Sequence, residues 1–86
     1  MARRKKLVEK IRARPVEADY GDVERLLESF GWTCVRTIGS HNHFVKAGQL
    51  PLTVPTKHGR TVRRTYVDMI CDRLGLDEID VDDLED

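Results

Sequence analysis

The chain of 86 residues predicts an α+β fold, with two N-terminal helices, a three-stranded antiparallel sheet and a C-terminal helix, the helices packed on one sheet face. Three observations predict it. Apolar residues recur at helical spacing over residues 23–30 and again over 66–74; residues 32–55 switch to a period of two; and Gly31, Gly39, Gly48 and Gly75 punctuate the transitions. A domain of this size buries only about 60% of its unfolded surface, which leaves room for a surface site rather than a deep pocket.

Residues 3–13 are helix formers with Leu7, Val8 and Ile11 on one side, and Pro15 stops the helix at Arg14 or before. This narrow apolar stripe predicts a basic arm, residues 1–18, that docks loosely on the body or only in a complex, an ordinary solvated N-terminal helix being the alternative. The next helix is set by Asp19 and Asp22 as a capping pair and by Val23, Leu26, Leu27 and Phe30 at i, i+3, i+4 and i+7; Gly31 ends it. Strands are expected over 32–38, 42–47 and 50–54, with turns at Gly39-Ser40 and Ala47-Gly48-Gln49. The period of two places His41, His43 and Val45 on one face and Asn42, Phe44 and Lys46 on the other. If Phe44, Leu52 and Val54 pack on the helices, His41, His43 and Thr53 face solvent. Residues 56–64 read as a basic loop. Thr65 with Asp68 reads as the cap of the last helix, whose core face is Tyr66, Val67, Ile70, Cys71 and Leu74. The core domain is thus residues 19–76, followed by a flexible acidic tail, 77–86.

Charge is unevenly spread. Residues 1–20 carry seven bases and three acids, residues 21–76 eight and five, and residues 77–86 no base and seven acids, giving +4, +3 and −7. A basic body favours a polyanionic partner, nucleic acid first among them; a salt-bridged solvated surface is the plainer alternative. The tail's seven carboxylates would be able to fold over the basic face and compete with RNA. Cys34 and Cys71 suit reduced thiols in a cytoplasmic protein. No apolar run approaches the ~20 residues needed to cross a bilayer, and no membrane partner is expected.

The stretch Gly39-Ser40-His41-Asn42-His43-Phe44 is where chemistry is expected, since histidine, with a reference pKa of about 6.5, serves as proton acceptor and donor at neutral pH. Nucleophilic catalysis by Ser40 is disfavoured: the strand-to-helix elbow is missing, and no Asp or Glu lies within residues 29–67 to orient a base. A zinc site would need His41, His43, His58 and Cys34 to converge, and only the His-x-His spacing supports it. Neither metal nor other cofactor is expected. RNA cleavage asks for less, because RNA brings its own nucleophile, the 2′-hydroxyl; histidine with lysine and arginine suffices. Lys57, His58, Arg60, Arg63 and Arg64 follow the histidine strand, and Arg63 and Arg64 stand where the last helix's amides also favour phosphate.

Residues 23–74 resemble the HicA (YcfA-like) toxins of bacterial and archaeal toxin–antitoxin pairs. The resemblance rests on Leu26-Leu27-Glu28-Ser29-Phe30-Gly31-Trp32, Val35-Arg36, Gly39-Ser40-His41-Asn42-His43-Phe44, Leu52-Thr53-Val54-Pro55 with His58-Gly59, and a final helix, in that order. It implies a double-stranded-RNA-binding-domain-like fold and mRNA interferase activity, with metal-independent cleavage of mRNA. It also implies restraint by a HicB-type antitoxin that covers the histidine face. The histidine directly after Gly-Ser is the family's catalytic one, which makes His41 the catalytic candidate. His43 and His58 are secondary candidates, and Lys57, Arg60, Arg63 and Arg64 hold RNA phosphates. The chain departs from the family at Asn42, commonly a second histidine, and at Arg60-Thr61-Val62-Arg63-Arg64-Thr65, often a Lys-Glu-Leu-Lys-Pro-like run. Two rival readings are a non-catalytic RNA-binding module of the same fold and a protein-interaction domain whose histidines are relics.

Overall fold

The computed structural model describes residues 3–84. The first helix, α1 (Arg3–Arg12), closes where Arg14 turns left-handed (φ 54°) and its N–H bonds to the Ile11 carbonyl at 3.0 Å, just ahead of Pro15. After strand β1 (Glu17–Asp19), helix α2 (Tyr20–Ser29) begins on the expected cap, the Asp19 carboxylate accepting from the Asp22 N–H at 3.1 Å. It ends at Phe30 and Gly31, whose φ of 91° suits a residue without Cβ. The apolar stripe of α1 is no loose arm. Leu7, Val8 and Ile11 are buried in the same core as Val23, Leu26 and Leu27 of α2, and Lys10 reaches across to the buried Asp22 carboxylate at 2.7 Å.

Strands β2 (Thr33–Ile38), β3 (His41–Val45) and β4 (Leu52–Pro55) form the predicted antiparallel meander, in the order β2-β3-β4. Pro55 is tolerated because β4 is an edge strand. Phe44, Leu52 and Val54 are buried under the helices, while His41 is exposed and His43 and Thr53 are half-buried on the other face. The α+β class stands as expected, with three helices and a three-stranded sheet consistent with a double-stranded-RNA-binding-domain-like fold.

Three features differ from expectation. The 56–64 segment is not simply a loop: its end forms strand β5 (Thr61–Arg63), which pairs with β1 through Glu17↔Arg63, Ala18↔Val62 and Asp19↔Thr61. Ala18 and Val62 bury their side chains, so this two-stranded ribbon belongs to the core. The last helix, α3 (Arg64–Leu74), starts one residue before Thr65, with Arg63 at its N-cap and no side-chain cap bond. Asp68, the expected cap partner, instead faces Arg14, whose Nε lies 3.1 Å away as an ion-pair contact.

The acidic tail also departs from expectation as far as residue 84, residues 85–86 lying outside the described region. Gly75, left-handed at φ 65°, terminates α3, and short 3₁₀ turns at Leu76–Glu78 and Val81–Asp83 follow. Leu76 is fully buried, and Ile79, Val81 and Leu84 pack against the core. The polar bonds of the tail go to α1 and its end: Arg12 donates to the Ile79 carbonyl at 2.8 Å, Arg14 to Asp77 Oδ1 at 2.9 Å, and Lys5 pairs with Asp82 at 3.1 Å. Among the described residues, Asp77 and Asp82 therefore pair with the N-terminal helix and its end, and no ion pair joins a tail carboxylate to the basic segment at 57–64.

Candidate functional site

Strand register builds the site. Residues paired across an antiparallel ladder share a face, so Ile38, His41 and Pro55 form one row on the open face and Arg36, His43 and Thr53 the next. The His41 and His43 side chains, two residues apart, stand about 7 Å from each other along the strand. Among the described residues, the His41 imidazole has no hydrogen-bond partner and is open to solvent. His43 is held: its Nδ1 lies 3.1 Å from Thr53 Oγ1, which leaves Nε2 as the outward nitrogen. Asn42 points the other way. Its side chain is buried, donating to the Val54 carbonyl at 3.0 Å and accepting from the Thr37 hydroxyl at 2.9 Å. The residue type at position 42 is therefore a matter of sheet packing and does not alter the histidine face.

A β-bulge at Cys34/Arg36 adds a cation that strand periodicity misses. In a regular ladder Arg36 would follow Cys34 onto the covered face, but the extra residue, Val35, shifts the pairing so that Arg36 sits opposite His43. Of the basic residues expected at the site, Lys57 and Arg60 are the corners of a tight turn whose central residues, His58 and Gly59, both take positive φ (55° and 69°). The turn is closed by the Lys57–Thr61 bridge and the Arg60 N–H to Lys57 carbonyl bond of 3.1 Å. Lys57 Nζ pairs with Glu17 at 3.2 Å, so its charge is partly neutralised. Among the described residues, no hydrogen bond joins His58 to either strand histidine. Arg63 and Arg64 are exposed where β5 meets α3, fixed by the ribbon and by the Arg64 N–H to Val16 carbonyl bond of 3.0 Å.

Beside His41 lies a depression of about 210 Å³ lined by Ser40, Pro55, Thr56, Arg63 and Tyr66. His41 itself is not in the lining, but Ser40 precedes it and Pro55 pairs with it, so two of its neighbours form part of the wall. Its rim is fixed by Thr56, whose N–H and hydroxyl both bond to the Ser40 carbonyl, at 2.8 and 3.3 Å. Sequence reasoning assigned Tyr66 to the core face of the last helix; it is half-buried, at the border between core and depression. The only signal in the sequence was its position at the margin of the apolar stripe, where an aromatic with a polar tip suits a wet edge.

Two carboxyls, those of Asp22 and Asp77, are shifted in their titration. The Asp22 carboxyl is held below the usual carboxylate range chiefly by its bond to Lys10, with Arg25 adding to the effect and burial opposing it. Asp77 is likewise lowered by its bond to Arg14. Among the described residues, no helix is long and apolar enough to cross a membrane, and no cluster of three or more His, Cys, Asp or Glu could hold a metal ion.

Comparison with curated proteins and with solved structures gave no match. A family model does match, that of the HicA toxin of bacterial toxin–antitoxin systems, and it covers residues 20–76, which include α2, the whole three-stranded sheet, β5 and α3. The chain belongs to the HicA toxin family.

Proposed function

We propose that this HicA-family toxin is an endoribonuclease that cleaves mRNA, with His41 as its catalytic residue. The observation that carries the reading is the placement of an exposed, unpartnered His41 on the uncovered face of the sheet, with His43 and Arg36 in the next row and Arg63 at its flank. In the proposed reaction, His41 accepts the proton of the 2′-hydroxyl, whose oxygen attacks the adjacent phosphorus. The P–O2′ bond forms as the P–O5′ bond breaks, leaving a 2′,3′-cyclic phosphate. The departing 5′-oxygen takes a proton from a second group, for which His43, oriented by Thr53, is better placed than His58. Arg36 and Arg63 neutralise the phosphate as negative charge grows on it, and Arg60, Arg64 and the partly neutralised Lys57 hold flanking phosphates.

A family of toxins in toxin–antitoxin systems implies an antitoxin partner; a HicB-type protein seated on the histidine face would restrain this activity. The test is incubation of purified wild type, His41→Ala and His43→Ala with mRNA. Wild type is expected to cut, His41→Ala to leave the message intact, and RNA with 2′-deoxy residues to resist. Equal cleavage by wild type and His41→Ala removes His41 from the role, and RNA bound in a salt-dependent way yet never cut by wild type replaces the enzyme with a binding module.

A further inference from the structure

The depression beside His41 has a chemistry of its own. At about 210 Å³ it falls below the ~300–1,000 Å³ typical of sites for whole small-molecule ligands, so it suits one ring system rather than a complete metabolite. Its lining joins a phenol ring, a guanidinium and two aliphatic hydroxyls with a proline, and contains no carboxylate. A planar base, an anionic phosphate and a hydroxylated sugar need these same groups, since bases stack on aromatic faces, arginine forks onto phosphate oxygens and hydroxyls bond to sugar or phosphate. The backbone around the depression is also fixed before any ligand arrives. Thr56 is tied to Ser40 by two bonds, Arg63 is paired opposite Glu17 in the ribbon, and Tyr66 is anchored by packing against the core.

We propose that this depression is a nucleotide subsite for single-stranded RNA. It takes the nucleotide next to the scissile bond, with the base against the Tyr66 ring, its phosphate on Arg63 and the Ser40 hydroxyl bonded to sugar or phosphate oxygen. The subsite rests on the ribonuclease reading for its position in the substrate, because Ser40 and Pro55 adjoin His41. It makes Tyr66 a substrate-binding residue and gives the enzyme a preference for unpaired RNA, whose bases alone are free to leave a stack.

The test measures binding of a non-cleavable 2′-O-methyl hexanucleotide by fluorescence anisotropy, beside cleavage of the matching RNA. Tyr66→Leu, which keeps apolar bulk but loses the ring, is expected to weaken binding about tenfold, the effect of losing one base stack. Tyr66→Phe should bind within about twofold of wild type, and Arg63→Gln should lower the slope of log Kd against log salt by roughly 0.7. Placing an abasic residue at each position of the hexamer gives a readout on unaltered protein: one position, next to the cleavage site, should weaken binding by about the same factor as Tyr66→Leu and have no further effect on that variant. Wild-type binding by Tyr66→Leu, or no sensitive abasic position, overturns the subsite even where His41-dependent cleavage is intact. A Tyr66 effect on binding with no cleavage by wild type retains the subsite and removes the ribonuclease reading.

Discussion

Replacing Ile11 by alanine tests whether the first helix is part of the fold or an appendage. Ile11 is fully buried, in a core shared with α2, α3 and the residues after α3. The substitution removes three carbons from that core, about 2.4 kcal/mol at ~0.8 kcal/mol per buried methylene. The residual cavity adds to this, while alanine's better helix propensity returns about 0.4 kcal/mol, so the net loss should be about 3 kcal/mol. At about 0.05–0.15 kcal/mol per residue, a domain of this size has roughly 4–13 kcal/mol in total. The variant should therefore melt some 12–24 °C lower, at about 4–8 °C per kcal/mol. Urea denaturation followed by circular dichroism measures the change, with an unaltered m-value showing that the folded core still unfolds as one unit. Val16→Ala is the control: Val16 is 75% exposed, and its loss should stay within about 0.5 kcal/mol. A loss below about 1 kcal/mol for Ile11→Ala would refute the assignment of α1 to the core.

Two further outcomes follow from buried polar groups. Asn42→Ala removes a side chain that donates to the Val54 carbonyl and accepts from the Thr37 hydroxyl, and should cost about 1–3 kcal/mol in urea denaturation. The Asp22 carboxyl titrates below its unfolded value because of Lys10 and Arg25, so its contribution is fully present above the unfolded pKa near 4 and is lost as pH falls through the lower folded value. Wild type should accordingly lose more stability than Asp22→Asn between about pH 5 and pH 2, while at pH 7 Asp22→Asn should be weaker by about 1.5–3 kcal/mol. Parallel pH–stability curves for the two proteins would contradict the coupling.

The parts legible in the sequence were those with enough residues to show a period. Val23, Leu26, Leu27 and Phe30 define one helix face, and the alternation of His41, Asn42, His43 and Phe44 correctly separates the open face from the covered one. What was not legible depends on pairings between distant short segments. Strands β1 and β5 have three residues each, too few for alternation to register, and become strands only because they meet across more than forty residues of chain. Arg36 reaches the histidine face through a bulge, which no periodic pattern announces. The tail reads as flexible in the sequence because its acids outnumber its apolar residues; Leu76, Ile79, Val81 and Leu84 are spaced for two 3₁₀ turns rather than for an α-helix.

These short pairings also explain how the site gains its rigidity from outside the family-matched segment. The match begins at residue 20, yet Arg63 is held by its place opposite Glu17, and the start of α3 by the bond from Arg64 to Val16. Both partners precede the match. Helix α1 in turn joins α3 and the tail, its Ile11 carbonyl accepting from the Cys71 thiol at 3.5 Å and its Arg12 donating to the Ile79 carbonyl at 2.8 Å. The histidine strand is thus placed by the meander of the family core, while the arginine beside it is placed by a ribbon that this chain completes with its own N-terminal segment. On the proposed reading, a cation that meets a phosphate next to His41 gains from a backbone already in place, since ordering a loop on binding would consume part of the interaction. The N-terminal extension therefore acts on the site through β1, whose pairing with β5 sets the backbone from which Arg63 projects.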